Sequence, residues 1–245
     1  MDQSVIIFLF LVAIGTYVQT VTGFALGLIV LGLATLLELL PIPVTAIIIS
    51  IIALANNFLA LHRRYHLVDL RISVATTLSM LPAVALGVWL LNILSADYVE
   101  PLKTTLGVVI MLGGLLLMMK PQPRTEKASS LSHIVTGLLA GILGGMFTTA
   151  GPPLVYHLYR EPIPVEAIRS TLFAIFGIGT LVRIGVVTID GSITAEILEL
   201  TLYALPVVFL ATLVGRRYPL PLSDIGMRRA AFGLLMLLGF TLLIS

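Results

Sequence analysis

The chain has 245 residues, of which 58% are hydrophobic and 11% charged, and its formal net charge is +2. A soluble domain carries roughly 25% charged residues, so this composition excludes a protein that faces water on all sides. The positive excess does not indicate nucleic-acid binding, because the basic residues stand in short runs between apolar segments, where they report orientation in a membrane. The absence of cysteine excludes disulfides, thiolate catalysis and cysteine-ligated metals.

The apolar segments predict an all-α polytopic membrane protein. In chain order they cover residues 4–40, 44–61, 72–94, 99–119, 131–159, 165–189, 197–215 and 230–244. A helix needs about 20 mostly apolar residues to cross a bilayer, and six of the eight segments have lengths near one crossing, although the last is short. Segments 4–40 and 131–159 do not match one crossing. They are interrupted by Gln19-Thr20-Val21-Thr22-Gly23 and by Thr148-Thr149-Ala150-Gly151-Pro152-Pro153, so both are predicted to be broken helices.

Three sequence patterns of the first half recur in the same order in the second half. Pro41-Ile42-Pro43-Val44 recurs as Pro162-Ile163-Pro164-Val165, Thr77-Leu78 with Leu81-Pro82 as Thr201-Leu202 with Leu205-Pro206, and Gly107 with Gly113 as Gly233 with Gly239. Apolar helices share composition by chance, so one match is weak, but three in one order predict an internal duplication. We expect a first repeat over residues 1–119, a cytoplasmic linker over 120–130 and a second repeat over 131–245.

The loop charges predict how the two repeats are oriented. The basic loops 62–71, 120–127 and 216–229 are expected in the cytoplasm, whereas loop 94–103 and the acidic region near Asp190 are expected outside. Equivalent loops of the two repeats then carry opposite charge, which predicts inverted repeats, each with one broken, re-entrant segment and three transmembrane helices. The first re-entrant hairpin would enter from outside and the second from inside. The alternative, eight complete spans with parallel halves, would place the arginines of 216–229 outside.

The two interruptions form the candidate binding site. Tips that arrive from opposite faces would meet near the bilayer midplane, where non-helical backbone is tolerated only inside protein or beside a wet cavity. A helix begins anew after each tip, and its free amides and positive dipole end would favour an anion. The candidate residues at the tips are Gln19, Thr20, Thr22, Gly23, Thr148, Thr149, Gly151 and Pro152. The alternative is that small residues only permit close helix packing, which we favour for Gly137, Gly141, Gly144 and Gly145.

Four further residues within the apolar segments are candidates. Asn56 and Asn57 point about 100° apart on a helix, so at most one is expected to line a given cavity. Arg183 either faces protein, where its planar guanidinium suits an oxyanion, or extends to the outer interface. His157 follows the second tip and is a candidate proton carrier or gate, although a lone histidine is more often a packing residue.

No cofactor, metal site or enzymatic activity is expected. His62 and His66 have a metal-like spacing but lack a suitable partner nearby in the sequence. All twelve acidic residues fall in loops or near predicted helix ends, whereas a cation pathway would place Asp or Glu within a span. An anion is therefore favoured over a cation. No nucleotide-binding loop, nucleophile elbow or metalloprotease helix motif is present.

Several small-residue motifs resemble those of one known family. They are Gly15 through Gly23-Phe24-Ala25-Leu26-Gly27 in the first half, and Gly137, Gly141, Gly144-Gly145, Gly151-Pro152-Pro153-Leu154 and Arg169-Ser170-Thr171-Leu172 in the second. With these motifs the chain resembles the sulfite exporter TauE/SafE family, also known as the 4-toluene sulfonate uptake permease family, over nearly its whole length. The resemblance implies transport of sulfite, organosulfonates or related anions across the inner membrane of a prokaryotic cell, often outward.

The function expected from these observations is that of a secondary transporter, an exporter of a small anion such as sulfite or an organosulfonate. It would work by alternating access around a site at the bilayer midplane. The alternative is an anion channel-like or regulatory membrane protein without coupled turnover. The expected partners are the anion and the lipid bilayer, with no nucleic acid, and the sequence predicts no oligomeric state.

Overall fold

The computed structural model describes residues 3–22, 25–62, 64–118, 124–218 and 224–244, without the side chains of Thr22, Leu117 and residues 224–231. These residues form ten α-helices and one short 3-10 turn, and no strand is found among them. The helices are α1 (Gln3–Thr22), α2 (Leu26–Leu36), α3 (Ile42–Leu61), α4 (Leu70–Asp97), α5 (Val99–Met118), α6 (Ser130–Phe147), α7 (Gly151–Leu158), α8 (Val165–Ile189), α9 (Ala195–Arg217) and α10 (Asp224–Ile244).

Seven of these helices are long and apolar enough to cross a membrane. They are α1, α3, α4, α5, α6, α8 and α9, while α2 and the apolar part of α10 are shorter. Large apolar side chains such as Trp89, Leu198 and Phe240 stand exposed on the helix surfaces, where water would disfavour them and lipid tails accept them. The predicted all-α polytopic membrane fold is confirmed.

Both interrupted segments are broken helices, as predicted. The first break separates α1 from α2, and the second separates α6, which ends at Phe147, from α7, which begins at Gly151. The two prolines after Gly151 stand in the first turn of α7. A missing amide hydrogen costs no helical hydrogen bond at that position, so the Gly-Pro-Pro sequence fixes where the helix restarts.

The first break lies later than predicted, because Gln19, Thr20 and Thr22 belong to the last turn of α1 and not to non-helical backbone. In lipid, a helix keeps its backbone groups bonded internally. Hydroxyl side chains can also bond back to the preceding turn, as Thr20 Oγ1 does to the carbonyl oxygen of Thr16 at 2.8 Å. The helix therefore continues through these polar residues. Gly23 lies outside the described residues.

α4 and α6 pack closely along most of α6. Gly137 and Gly145 of α6 lie against the carbonyl groups of Thr76 and Val84 of α4, and the two helices run parallel because both residue numbers rise together. A Cβ at either glycine would collide with the α4 backbone, so the missing side chains allow the short separation. The packing role predicted for these two glycines, and for Gly141 between them, is confirmed.

Three further pairs of helices pack against each other: α1 with α9, α5 with α10, and α3 with α8. Tyr17 of α1 lies against Gly215 of α9, and its hydroxyl donates a hydrogen bond to the carbonyl oxygen of Tyr218 at 2.9 Å. The C-terminal part of α1 therefore lies beside the C-terminal end of α9. α5 and α10 form a third pair, with a close backbone approach at Gly107 and Gly239, and α3 and α8 form a fourth.

The two ends of the α6–α7 segment lie close together. The amide of Arg124, shortly before α6, donates a hydrogen bond to the carbonyl oxygen of Arg160, just after α7, at 2.7 Å. The carboxylate of Glu161 accepts a hydrogen bond from the Ala128 amide at 3.3 Å and forms an ion pair with Arg124 at 3.3 Å. After α7 the chain has thus returned to the region from which α6 started.

Other helix ends lie in the same region, which we call the linker face. Lys127 forms an ion pair at 3.6 Å with Asp69, which precedes α4. Arg216, near the end of α9, donates a hydrogen bond to the carbonyl oxygen of Leu59 at 2.6 Å, close to the end of α3. The linker face comprises residues 59–62, 64–69, 124–129 and 160–165 and the C-terminal end of α9.

The opposite face is marked by the far ends of α4 and α8. Both helices begin at the linker face, and near their C-terminal ends Asn92 Nδ2 donates a hydrogen bond to Asp190 Oδ2 at 2.9 Å. α9 begins on this opposite side, shortly after Asp190, and runs back to the linker face. Between the two faces lies the region where the helix breaks meet.

Candidate functional site

A cavity of about 50 Å³ lies between the two helix breaks. It is bordered by the α1–α2 tip, by α3, α4 and α8, and by the α6–α7 tip. Its polar lining residues are Gln19, Ser50, Asn57, Thr148, Thr149, Thr180 and Arg183, and its apolar ones include Met80, Val84 and Phe176. One water needs roughly 10–15 Å³ on this scale, so the cavity has room for a cluster of about four non-hydrogen atoms.

The two tips touch each other beside this cavity. A Cβ on Gly27, in the first turn of α2, would lie 2.8 Å from the carbonyl oxygen of Thr148 and 3.2 Å from its hydroxyl oxygen. Because glycine has no side chain, the backbones can approach at this separation. The fold thus brings the two interrupted segments together, as the sequence analysis expected.

Each tip contains a non-glycine residue in the left-handed backbone region. Ala25 has a φ of 96° and Thr148 a φ of 54°. Such a backbone conformation destabilises the fold by roughly 1–2 kcal/mol and persists only where neighbouring contacts enforce it. At the first tip, Gln19 Oε1 accepts a hydrogen bond from the Leu26 amide at 3.2 Å, and Gln19 Nε2 donates to Asn57 Oδ1 at 3.4 Å. Gln19 therefore fixes the start of α2 against both α1 and α3.

Arg183 is buried beside the cavity, with 2% of its surface exposed. Its Nε donates a hydrogen bond to the carbonyl oxygen of Gly145 at 2.8 Å, and its Nη1 donates to Ser50 Oγ at 2.8 Å and to the Ala46 carbonyl oxygen at 3.1 Å. The remaining nitrogen, Nη2, is buried and has no hydrogen-bond partner among the described residues. Of the two orientations left open by the sequence, Arg183 adopts the one that faces protein.

Within the described part of the chain, the guanidinium of Arg183 contacts only neutral groups and has no negatively charged partner. No carboxylate is found among the described residues that line the cavity, and the ion pairs between described residues do not include Arg183. An arginine side chain stays protonated in proteins, and a buried charge without a counter-ion carries a penalty of several kcal/mol. An anion in the cavity would supply both the missing charge and an acceptor for Nη2.

The N-terminal ends of α2 and α7 also border the cavity, at Gly27 and Gly151. The start of a helix carries a partial positive charge, which acts in the same direction as the guanidinium of Arg183. The prolines at positions 152 and 153 have no amide hydrogen. α7 therefore contributes fewer backbone donors than the sequence analysis expected.

The cavity brings together six of the predicted binding residues. They are Gln19, Asn57, Thr148, Thr149, Gly151 and Arg183. Two other candidates, Thr20 and Asn56, do not line it but border a second cavity nearer the linker face. The reason is that adjacent side chains on a helix point about 100° apart.

The ring of Pro152 is directed toward Gly113 of α5, so its position in the first helical turn, and not ligand contact, explains its presence. Gly23 and the side chain of Thr22 lie outside the described residues.

His157 lies at the base of the α6–α7 hairpin and is not among the residues that line the cavity; its role as a proton carrier or gate stays a prediction. Its Nε2 is 3.0 Å from Nδ1 of His133 and 4.0 Å from the carboxylate of Glu161, and all three residues are buried. Their ligating atoms lie within 4.8 Å of one another and could hold a metal ion, which was not expected because His133 is distant in the sequence. The Glu161 carboxylate already accepts hydrogen bonds from Arg124 and from the Ala128 amide. The cluster is thus satisfied without an ion and joins the hairpin to the linker.

Sequence reasoning missed Ser50 and Thr180, which line the cavity beside Arg183, and Gly144, for which only a packing role was predicted, lines it as well. Ser50 is the single polar residue among the isoleucines of residues 47–52, and a lone hydroxyl in such a run is a signal that could have been used. Met80 and Phe176 also line the cavity, but apolar residues in an apolar segment give no comparable signal.

Comparison with known proteins extends over nearly the whole chain. The family model described as sulfite exporter TauE/SafE matches residues 7–242. A relative from Cupriavidus necator, described as "Probable sulfite/organosulfonate exporter TauE", is 38% identical over 234 residues, which cover 96% of this chain and 91% of the relative. A relative from Comamonas testosteroni, described as "Probable inner membrane transporter protein TsaS", is 30% identical over 169 residues, covering 67% of this chain and 70% of the relative. No solved structure matches the chain.

These similarities include every helix that borders the cavity. They identify a multi-pass membrane transporter of this class, and the prediction that the chain is not an enzyme is confirmed. The resemblance seen in the glycine and Gly-Pro-Pro-Leu motifs is confirmed as well. The chain belongs to the sulfite exporter TauE/SafE family.

Proposed function

We propose that this transporter carries a small oxyanion such as sulfite out of the cell and binds it at Arg183. The observation that carries the proposal is a buried arginine at the cavity wall whose Nη2 has no partner and which has no carboxylate beside it among the described residues. A sulfite oxygen would accept a hydrogen bond from Nη2, and the negative charge would neutralise the guanidinium. The names of the relatives, which mention sulfite and organosulfonate export, support this substrate class.

The size of the cavity favours a compact anion over a long one. Sulfite consists of a sulfur atom and its three oxygens, which suits a cavity of about 50 Å³. An organosulfonate adds a carbon chain, and Met80 and Phe176 occupy the wall against which that chain would extend. We therefore assign sulfite as the preferred substrate of this conformation and longer sulfonates as weaker ones.

Alternating access is the proposed mechanism, and it requires inverted repeats at 1–119 and 131–245. The helix contacts support this topology. α6 leaves the linker face parallel to α4, whereas α1 has its C-terminal part at the linker-face end of α9, so the two hairpins enter from opposite faces. In the proposed repeats, α1 to α5 correspond in order to α6 to α10. The contact between α4 and α6 then corresponds to that between α9 and α1, and the pairs α5–α10 and α3–α8 each join two equivalent helices. Rocking of one half against the other would open Arg183 to each side in turn.

The direction of transport follows from the proposed orientation. We place the linker face in the cytoplasm, at the inner membrane of a prokaryotic cell, because Arg64, Arg71, Arg124 and Lys127 lie on or beside it. A membrane potential that is negative inside favours outward movement of an anion by about 2.3 kcal/mol per charge per 100 mV. The potential alone can therefore drive export.

Flux of ³⁵S-labelled sulfite in proteoliposomes with an imposed potential tests the proposal. We expect saturable flux that rises with the potential, and a loss of tenfold or more in Arg183→Gln, which corresponds to a charged hydrogen bond of about 1.5–3 kcal/mol. Arg183→Lys keeps the charge but not the planar fork, so its flux should lie between the two. Lys103→Gln, which removes a charge that does not line the cavity, is the control.

Two outcomes contradict the proposal in different ways. Flux that rises linearly with sulfite concentration, without saturation, favours the channel-like alternative. Flux in Arg183→Gln equal to that in Lys103→Gln removes Arg183 from the binding site.

A further inference from the structure

We propose that the chain has a second anion-binding site, in a vestibule on the linker face, which receives the anion before it reaches Arg183; this inference rests on the proposed function. The vestibule is the second cavity, with a volume of about 480 Å³ against about 50 Å³ for the cavity at Arg183. The lining residues that matter here are Thr20, Asn56, Arg64, Arg169 and Arg216. They come from the ends of α1, α3 and α9, from the start of α8 and from the loop after α3.

The described lining residues of the vestibule carry an excess of positive charge. Three arginines, Arg64, Arg169 and Arg216, line it, and no carboxylate is found among its described lining residues. A cleft with one sign of charge and low-dielectric walls concentrates ions of the opposite sign. Arginine also binds oxyanions through a planar set of donors that matches their oxygens. The arginines that line the vestibule therefore favour the binding of an anion over a cation.

Two buried donors in this region have no partner within the part of the chain that the structure describes. Nε of Arg169 and Nδ2 of Asn56 are both buried without a hydrogen-bond acceptor, and Asn56 as a whole is 1% exposed. A buried donor left unpaired costs roughly 1–3 kcal/mol, so such groups in native proteins normally meet an ion, a water or a ligand. An oxyanion in the vestibule would supply acceptors for both residues.

The vestibule adjoins the cavity at Arg183 through two pairs of consecutive residues. Thr20 and Asn56 line the vestibule, whereas their chain neighbours Gln19 and Asn57 line the inner cavity. Gln19 and Asn57 are joined by a hydrogen bond of 3.4 Å. Gln19 and Asn57 therefore border the inner cavity next to the residues that line the vestibule, and rotation of their side-chain amides is the movement that we expect to connect the two.

The ligand of the vestibule is a free oxyanion, either sulfite or the sulfonate group of a larger molecule that the greater volume admits. The phosphate of an anionic lipid has related chemistry and could come from the bilayer. Asn56 lies more than one turn before the end of α3 and is buried inside the bundle, which favours a small anion that diffuses in over a headgroup held at the surface by its tails.

Equilibrium binding of ³⁵S-sulfite to the full chain in phosphatidylcholine nanodiscs tests the inference. We expect two sulfite ions per chain in the unsubstituted protein, and one each in Arg169→Gln and in Arg183→Gln. Asn56→Leu should weaken the same site as Arg169→Gln. Arg217→Gln is the control, since Arg217 lies at the same end of α9 and stacks on Tyr218 at 5.9 Å but does not line the vestibule; it should bind two.

Transport kinetics separate the two sites. Arg169→Gln should raise the KM for sulfite about tenfold or more, the effect of losing a hydrogen bond to a charged group, and leave the maximal rate within about twofold of the control, since the Arg183 site is intact. One sulfite per chain in the unsubstituted protein, or a KM in Arg169→Gln equal to that in Arg217→Gln, overturns the inference. Two bound ions without any flux would contradict the proposed function and leave the vestibule site standing.

A separate binding experiment tests whether a lipid headgroup occupies the vestibule. Addition of phosphatidylglycerol to the nanodiscs should leave two sulfite ions bound per chain. Loss of the second ion on this addition means that a lipid headgroup occupies the vestibule, and it overturns the assignment to a free anion.

Discussion

Gly27, in the first turn of α2, lies against Thr148, the residue at which α6 ends, so closely that a Cβ on Gly27 would be 2.8 Å from the Thr148 carbonyl oxygen. The two residues are 121 positions apart in the chain, and they belong to different hairpins. Both residues line the anion cavity, and their contact sets the distance between the two tips there. A change in the separation of the tips should therefore change transport directly.

Gly27→Ala should reduce the rate of sulfite transport by about tenfold, because a displacement of the tips by a fraction of an ångström misplaces the binding groups. The melting temperature should fall as well, since backbone of Thr148 must move. Gly185→Ala is the matched control, because a Cβ at Gly185 in α8 meets no atom within 4 Å. Equal transport rates in the two variants would show that the tip contact does not matter for function.

Ser50→Ala should lower the apparent affinity for sulfite without abolishing transport. Ser50 Oγ accepts a hydrogen bond from Arg183 Nη1 at 2.8 Å, and its loss leaves that nitrogen with only the Ala46 carbonyl, so the guanidinium is held less firmly. We expect a KM increase of about fivefold to tenfold, which corresponds to about 1 kcal/mol, the net contribution of one ordinary hydrogen bond. Ser95→Ala, which removes a half-buried serine outside the cavity lining that donates to the carbonyl of Asn92, should have no effect. A KM in Ser50→Ala equal to that control contradicts the positioning role.

Met80→Ala should broaden the range of substrates. Met80 is 2% exposed and lines the cavity, so its truncation makes room for a carbon chain beside the bound sulfur group. We expect ethanesulfonate to compete with labelled sulfite more strongly in this variant than in the unsubstituted protein. The control is Met118→Ala, since Met118 is 53% exposed. Unchanged competition would mean that Met80 does not limit the size of the substrate.

The absence of cysteine makes the topology directly testable. Single variants Glu126→Cys, Arg217→Cys and Glu196→Cys place one thiol in the linker, at the end of α9 and at the start of α9. A membrane-impermeant maleimide added to intact cells should label Glu196→Cys, and it should label the other two only after permeabilisation. Labelling of Glu126→Cys and Arg217→Cys from different sides would contradict the inverted repeats and favour parallel halves.

Much of the fold could be predicted from local sequence. Polar residues inside apolar segments marked both breaks, and the Gly-Pro-Pro sequence located the start of α7, because proline is favoured only in a first turn. The first break was placed too early, since Gln19 and Thr20 remain helical. No proline follows that break, and lipid favours the continuation of a helix through hydroxyl residues.

The binding site was harder to predict, because its geometry depends on contacts between distant parts of the chain. The sequence left the orientation of Arg183 open, and its acceptors at Ala46 and Gly145 are backbone carbonyls that no side-chain pattern reveals. The choice between Asn56 and Asn57 required the rotation of α3 about its axis. The pairing of His157 with His133 required the hairpin itself.

An experimental structure with selenite would show whether an anion binds to Arg183 Nη2, which has no hydrogen-bond partner among the described residues. Selenite has the shape and charge of sulfite, and selenium gives an anomalous signal that locates the ion without reference to the protein. We expect one anomalous peak in the cavity with an oxygen about 2.7–2.9 Å from Arg183 Nη2, and loss of that peak in Arg183→Gln. A cavity without selenium at saturating selenite, or a peak there that persists in Arg183→Gln, would contradict the account.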